Sequence, residues 1–367
     1  MLGSAQTGTG KTAAFALPIL HHLINEKQFN NRIKSLIITP TRELAIQIDE
    51  NFTAYGKYTN IKNVVIFGGV KQGPQTNALK NGVDVLIATP GRLLDLMNQG
   101  FISLKSIRYF VLDEADRMLD MGFIHDIKKI IAKLPQERQS LFFSATMPNN
   151  ILSLANRILK NPKKIAAHQI STAANTIRQF IFYTNKNTKK DLLLHILKTK
   201  EMSNILVFSR TKHGSDRIVR NLKKKNINAL AIHGNKSQNQ RQKALKEFKK
   251  NNIKVLVATD IAARGIDIDD LKFVLNYDIP NEPETYVHRI GRCGRLGKRG
   301  VSISLCEPEE NMYIKNIEKL IKQKIEVIQD TPFPQTDKPM NAQQKKEFEK
   351  EKQKKRQEFF ANRKKRR

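Results

Sequence analysis

Short apolar, β-branched runs alternate with longer segments of helical periodicity along most of the chain. LIIT (36–39), VVIF (64–67), VLIA (85–88), YFVL (109–112) and SLFF (140–143) make a first series. A polar stretch, AHQISTAANTIRQ (167–179), interrupts the rhythm. It resumes with FIFY (180–183), ILVF (205–208), ALAI (229–232), VLVA (255–258), FVLN (273–276) and VSISL (301–305). Strands that are apolar throughout and separated by helices are those of parallel sheets covered on both faces. The expected fold is α/β, with domains at 1–167 and 180–331 joined by a linker at 168–179. VLIAT (85–89) and VLVAT (255–259) hint that one domain is a copy of the other.

From Pro332 the pattern changes. TPFPQTDKPMNAQQ is rich in breakers, and the charged run after it leaves no room for a core. Residues 332–367 are therefore expected to be a basic tail, disordered or a solitary charged helix.

Charge adds a partner. Lys and Arg number 65 against 34 acids, a formal +31. Residues 338–367 carry +9 of this and the body about +22, so the excess is not confined to the tail. A spread of that size points to a polyanion, most simply nucleic acid. No run of ~18 apolar residues marks a membrane span. The opening residues lack the pattern of a secretory leader. Two cysteines, Cys293 and Cys306, are too few for a zinc cage or a disulfide framework. A cytoplasmic protein without membrane attachment is expected.

Two motifs carry chemistry. AQTGTGKT (5–12) precedes the helical run AAFALPILHHLI, with Ala5 where the strict phosphate-loop pattern has Gly. Its glycines let backbone N–H groups converge on phosphate oxygens at a helix N-terminus. Lys11 would reach the β- and γ-phosphates of ATP, and the Thr12 hydroxyl would join a Mg²⁺ shell. YFVLDEAD (109–116) places acids at the carboxyl end of an apolar strand, where α/β folds bind ligands. Asp113 would position Mg²⁺, and Glu114 would orient or deprotonate the attacking water.

With these motifs and others in order, the chain resembles a DEAD-box ATP-dependent RNA helicase over roughly residues 3–305. The first half has PTRELA (40–45), Gly68-Gly69, TPGR (89–92), DEAD (113–116) and SAT (144–146). The second has VFSRT (207–211), ATDIAARGIDI (258–268) and HRIGRCGR (288–295). The basic tail resembles that of the bacterial RhlE-type subgroup.

The resemblance implies two RecA-like domains that close on ATP and RNA to unwind short duplexes. Nucleotide contacts would come from Ala5, Gln6, Thr7, Gly8, Thr9, Gly10, Lys11 and Thr12, with Gly265 and Asp267 from the second domain. Arg292 and Arg295 would be arginine fingers. Ser144, Thr146 and His288 would couple hydrolysis to RNA. An RNA-backbone groove would be lined by Pro40, Thr41, Arg42, Gly69, Thr89, Gly91 and Arg92 in the first domain. Arg210, Thr211, Gln238, Arg241, Thr259 and Asp260 would continue it in the second. Small residues, hydroxyls and amides read phosphates and 2′-hydroxyls, so binding would be sequence-independent. The implied protein is a monomer working on ribosomal precursors or with RNA-decay machinery.

Two departures set further expectations. Cys293 stands where the family has Thr, read as a tolerated small residue, with a thiolate that Arg292 and Arg295 could stabilise. The adenine-reading Q motif does not precede the phosphate loop, and only Met1 and Leu2 come before its first glycine. The chain thus reads as truncated, with most of the strand before the loop lost and the first domain destabilised. The alternative function is a basic RNA-binding remnant with little or no ATPase.

Overall fold

The computed structural model describes residues 1–5, 9–25, 32–167, 177–199, 202–263, 268, 271–294, 300–339 and 344. Gln6, Thr7, Gly8, Gly265, Asp267 and Arg295 lie outside the described residues, as does nearly all of the tail beyond 339.

The first domain runs β1 (Leu2–Ala5), α1 (Lys11–Asn25), β2 (Ser35–Ile38), α2 (Arg42–Tyr55), β3 (Asn63–Ile66), α3 (Gln72–Lys80) and β4 (Val85–Ala88). It continues with α4 (Pro90–Asn98), β5 (Tyr109–Leu112), α5 (Ala115–Asp120), α6 (Ile124–Ile131), β6 (Gln139–Ser144), α7 (Asn149–Ile158) and β7 (Lys164–Ala167). The second runs β8 (Ile177–Tyr183), α8 (Lys189–Thr199), β9 (Ile205–Phe208), α9 (Lys212–Lys223), β10 (Ala229–Ile232), α10 (Gln238–Lys249) and β11 (Val255–Ala258). Then come α11 (Asp260–Ala263), β12 (Phe273–Asn276), α12 (Pro283–Ile290), β13 (Gly300–Cys306), α13 (Asn311–Ile321) and β14 (Glu326–Val327).

Among the described residues each domain holds one seven-stranded sheet, ordered β3-β4-β2-β5-β6-β1-β7 and β10-β11-β9-β12-β13-β8-β14. Shifting the first order by seven strands gives the second, so the two domains share one topology. The similar VLIAT and VLVAT segments begin β4 and β11, which occupy the same place in their sheets. Every pairing between these strands is parallel.

Alternate residues of each central strand face opposite layers. Leu36 and Ile38 of β2 enter one apolar cluster with Leu86 and Ala88 of β4. Ile37 enters the other with Val85 and Ile87, against Phe15, Ile19 and Leu23 of α1. Both faces are buried, which is why these strands read as unbroken apolar runs. No helix among the described residues is long and apolar enough to cross a membrane.

The expectation that most of the strand before the phosphate loop is lost does not hold. The strand β1 has four residues, as do β2, β3, β4 and β5. It pairs along its length, Leu2 with Phe142 on one side and Lys164 on the other. The Met1 ammonium donates to Ser140 O at 2.9 Å, extending that contact. Gly3 fits because a Cβ there would lie 2.6 Å from the Phe143 ring. Four residues suffice to cross a sheet this narrow, so the loop has its support.

At the other end, residues beyond 331 stay on the second domain for a short way. Phe333 packs against the core, and Asn185 Oδ1 accepts from the amides of Thr336 and Asp337 at 2.9 Å each.

Candidate nucleotide and nucleic-acid site

The phosphate loop leaves β1 and enters α1, whose first residue is Lys11. The Lys11 ammonium lies 3.9 Å from Asp113 Oδ1, at the end of β5. Parallel pairing of β5 with β2 and β6 puts that carboxylate at the carboxyl edge of the sheet. Burial pushes the Asp113 carboxyl up to about 6, opposed by the nearby Lys11 charge. Thr12, half-buried, sits on the same first turn of α1.

Glu114 has left-handed backbone, φ 55° and ψ 49°. Such a conformation is costly for a residue with a Cβ and recurs at functional sites. Both Glu114 carboxylate oxygens lie 2.8 Å from Arg117 Nη1, which compensates a charge that is almost fully buried. Asp116 turns the other way. Its Oδ2 accepts from Thr146 N at 2.9 Å and Thr146 Oγ1 at 3.0 Å. Its own amide donates to Ser144 Oγ at 3.2 Å, and that hydroxyl donates to Thr146 O at 2.7 Å. The acidic turn and the SAT turn are thus one hydrogen-bonded unit. Sequence reasoning gave no role to Asp116 or Arg117, although both stand in or beside a motif it had singled out.

A cleft of about 540 Å³ opens where the two domains meet. Of the expected RNA-groove residues, Pro40, Thr41, Arg42, Thr89, Gly91, Arg92 and Arg241 line it, joined by Lys236 and Ile261. Gly69, at φ +78°, lies under the Arg42 guanidinium, in space a Cβ would need. Thr41 and Thr211 play matching local parts: each caps a helix, accepting from Leu44 N at 3.4 Å and Gly214 N at 2.9 Å. Arg92 Nη1 and Arg241 Nε are buried without a hydrogen-bond partner among the described residues. Two unpaired guanidinium N–H groups in one cleft are suited to an anion.

Other expected groove residues are engaged within the protein. Gln238 Nε2 and Arg241 Nη2 each donate to Glu43 across the domain boundary, at 2.9 Å. Arg210 donates to Glu310 Oε1 at 2.6 Å and Ile279 O at 3.0 Å. Asp260 takes a two-pronged ion pair from Arg289, at 2.6 and 2.8 Å. Thr259 sits just before α11, its amide bonded to Ile232 O at 3.4 Å.

Behind Arg210 lies a buried ionic cluster that nothing in the sequence announced. Lys189, the first residue of α8, is 2.8 Å from Glu310, 3.8 Å from Asp278 and 4.0 Å from Glu307.

A second, small pocket joins Arg117 of the first domain to Asp260, His288, Arg289 and Arg292 of the second. The expected finger Arg292 and coupling residue His288 thus sit beside the arginine that holds Glu114. The sulfur of Cys293, between the two fingers, is buried and donates to Ile290 O at 3.0 Å. It belongs to an apolar core cluster, the place expected of a tolerated small residue.

Two family models match in order. DEAD/DEAH box helicase covers residues 1–154, and helicase conserved C-terminal domain covers residues 188–297. Among curated relatives, the DEAD-box ATP-dependent RNA helicase RhpA of Helicobacter pylori is 43% identical over 90% of this chain and 66% of its own length. The ATP-dependent RNA helicase CshA of Listeria monocytogenes is 42% identical over 90% of this chain and 63% of its own. The chain therefore spans just under two thirds of the length of these relatives.

Among solved structures, a DEAD box protein of Methanococcus jannaschii is 42% identical, with a TM-score of 0.52 over 89% of this chain and 88% of that one. Saccharomyces cerevisiae Dbp5 bound to RNA and ADP BeF3 is only 31% identical. It nevertheless has a TM-score of 0.78 over 89% of this chain and 85% of its own. With both domain models matched in order and a solved relative 42% identical across 88% of its chain, this chain belongs to the DEAD-box helicase family.

Proposed function

We propose that the chain couples RNA-stimulated ATP hydrolysis to the separation of short RNA duplexes or the remodelling of RNA–protein complexes. One observation carries this reading. Lys11, Asp113, Glu114 and the Asp116–Thr146 unit form one connected acidic site, adjoining a cleft to which both domains contribute cations.

Lys11 and the loop amides would hold the phosphates of ATP. Thr12 and Asp113 would hold Mg²⁺, which when bound offsets phosphate charge. Asp113 suits that role because it is a buried hard-oxygen donor, and Lys11 at 3.9 Å compensates it without a hydrogen bond. Glu114, fixed by Arg117, takes the proton of the water attacking the terminal phosphate. Arg292, brought to Arg117 by domain closure, faces charge gathering on the transferred group. Arg295, Gly265 and Asp267 complete the second-domain side in this reading. Contact between Asp116 and the SAT turn makes a change at the phosphate felt at Ser144 and Thr146.

RNA would lie in the cleft, its phosphates taking the free N–H groups of Arg92 and Arg241. The match to a structure bound to RNA and ADP BeF3 supports reading this domain placement as the closed clamp. The same reading places the protein in the cytoplasm, as a monomer, acting on ribosomal precursors or with RNA-decay machinery. Domain limits of 1–167 and 180–331, with a linker between and a tail from 332, belong to it too.

The test is phosphate release with and without RNA, beside Glu114→Gln. The intact chain should be stimulated by RNA and not by DNA. The variant should bind ATP and RNA yet not turn over. RNA binding by the intact chain with no stimulated hydrolysis would favour the passive remnant, and normal turnover by the variant would refute the site.

A further inference from the structure

We propose that the outer ends of α9 and α10 form a second RNA-binding surface, holding the phosphate backbone of RNA that flanks the segment in the cleft. The proposal rests on the reading of the cleft as an RNA site.

Its first support is where the charge sits. Residues 180–331 contain 30 Lys/Arg and 17 Asp/Glu, a net +13. The stretch 217–254 holds twelve of those cations and a single acid, Glu247, so it supplies nearly the whole excess. Lys236 and Arg241 of this stretch line the cleft. The rest gather elsewhere.

Both helices end in lysines just before β10 and β11 begin. Asn228 O accepts from Lys254 N at 3.1 Å and Val255 N at 3.2 Å, which seats the two entry turns side by side. Lys223, Lys224 and Lys225 on one turn, and Lys246, Lys249 and Lys250 on the other, are all exposed. The Glu247 carboxylate accepts from Asn252 Nδ2 at 3.0 Å.

Lysines at helix ends also complement the helix dipole, but that effect fades within the last turn. Lys224, Lys225 and Lys250 lie past the last helical residue. The dipole does not account for them.

This surface is at the amino ends of the strands, and the cleft is at their carboxyl ends. Four residues at ~3.3 Å each put ~13 Å of sheet between the two. An RNA filling only the cleft does not reach it; a longer one can.

Phosphate is favoured over a protein partner because the surface offers no anchor. None of the large apolar side chains exposed among the described residues falls between 212 and 254, and stable protein interfaces need such a centre.

The test uses the full chain with Lys224→Gln, Lys225→Gln, Lys246→Gln and Lys250→Gln combined, and the matching fourfold Lys→Arg variant as control. Binding is titrated against salt for two RNAs: a hairpin with a single-stranded extension, and a single strand just long enough for the cleft. Four lost contacts at ~0.7–0.9 each should make the hairpin's log–log salt slope shallower by about 3. The Arg variant should keep the original slope, and the short strand should bind all forms alike. An unchanged hairpin slope overturns the proposal and leaves the surface to an acidic protein. Equal weakening of the short strand overturns it as a separate surface. If the short strand does not bind even the unaltered chain, the cleft reading fails, while the hairpin slope still decides this one.

Discussion

Removing the Glu43 carboxylate should weaken domain closure without unfolding either domain. Glu43 is 5% exposed at its side chain and accepts from Gln238 and, as an ion pair, from Arg241, itself 13% exposed. Burial already works against the Arg241 charge, and Glu43 is the partner that supports it. In Glu43→Ala that guanidinium is left in the closed interface without its counter-charge. Breaking a buried pair costs ~3–5 kcal/mol when one charge stays buried. Arg241 keeps some solvent access, so about 2–3 kcal/mol is the better figure. The cost arises only when the domains meet, because in an open form Arg241 returns to water. At 1.4 kcal/mol per factor of ten, closure weakens by about 30- to 150-fold. The assay is ATPase rate against RNA concentration. Half-maximal stimulation should need correspondingly more RNA, the saturated rate should stay near its original value, and the melting temperature should not move. Glu43→Gln, which keeps a hydrogen-bond acceptor, should fall between. Arg241→Met alone should also weaken RNA binding, because Arg241 lines the cleft, but adding Glu43→Ala to it should cost less than Glu43→Ala costs the parent, because no charge is then stranded. An unchanged RNA requirement in Glu43→Ala would refute the latch, and a fall in melting temperature matching the lost activity would show a folding role instead.

Asp113 gives a pH signature. Its carboxyl sits at about 6 when folded against ~3.9 for an unfolded chain, so between these values only the folded state holds the proton. Stability conferred by that proton is lost as pH rises through about 6. Without nucleotide, Asp113→Asn should therefore melt higher than the parent above pH ~6, with the gap closing towards pH ~4; a gap independent of pH would contradict the burial argument. Lys11→Ala should abolish ATP hydrolysis while both domains still melt cooperatively, and normal turnover would remove Lys11 from the site. Deleting residues 338–367 takes away thirteen cations and should lower RNA affinity and flatten its salt dependence, which a titration at several salt concentrations checks. Cys293 should resist alkylation in the folded chain because its sulfur is buried at 1% exposure; rapid, mass-verified modification under native conditions would show otherwise.

The sequence revealed what depends on local pattern. Central strands buried on both faces must be apolar throughout, so β2, β4, β5, β9, β11 and β12 stand out in the sequence. The strand β1 was underrated because LGSA carries a glycine and a serine. Its support comes from Phe142, Phe143 and Lys164, far along the chain. The edge strands β7 and β14 escaped notice because an edge needs few apolar residues. Acids and lysine of the nucleotide site were legible because their spacing is their chemistry. The partner of Gln238 and Arg241 was not, since Glu43 is almost two hundred residues away and pairs with them only when the domains meet.

The shared strand order has a consequence at the position of Lys189. Five residues separate β1 from Lys11, and five separate β8 from Lys189, each lysine opening the helix that follows. Lys11 lies 3.9 Å from Asp113 after β5, and Lys189 lies 3.8 Å from Asp278 after β12, the strand in the same place. The two halves thus present the same lysine and the same aspartate at the same crossing. In the second, Glu310 sits 2.8 Å from the ammonium, so a carboxylate of the chain itself occupies the lysine that a phosphate would otherwise claim. Glu310 also carries Arg210 on its other oxygen, turning what would be a ligand seat into an internal rivet. A molecule made of two like halves becomes one-sided in this way: in the proposed reading the first lysine serves a phosphate, while the second is held by a carboxylate of its own chain.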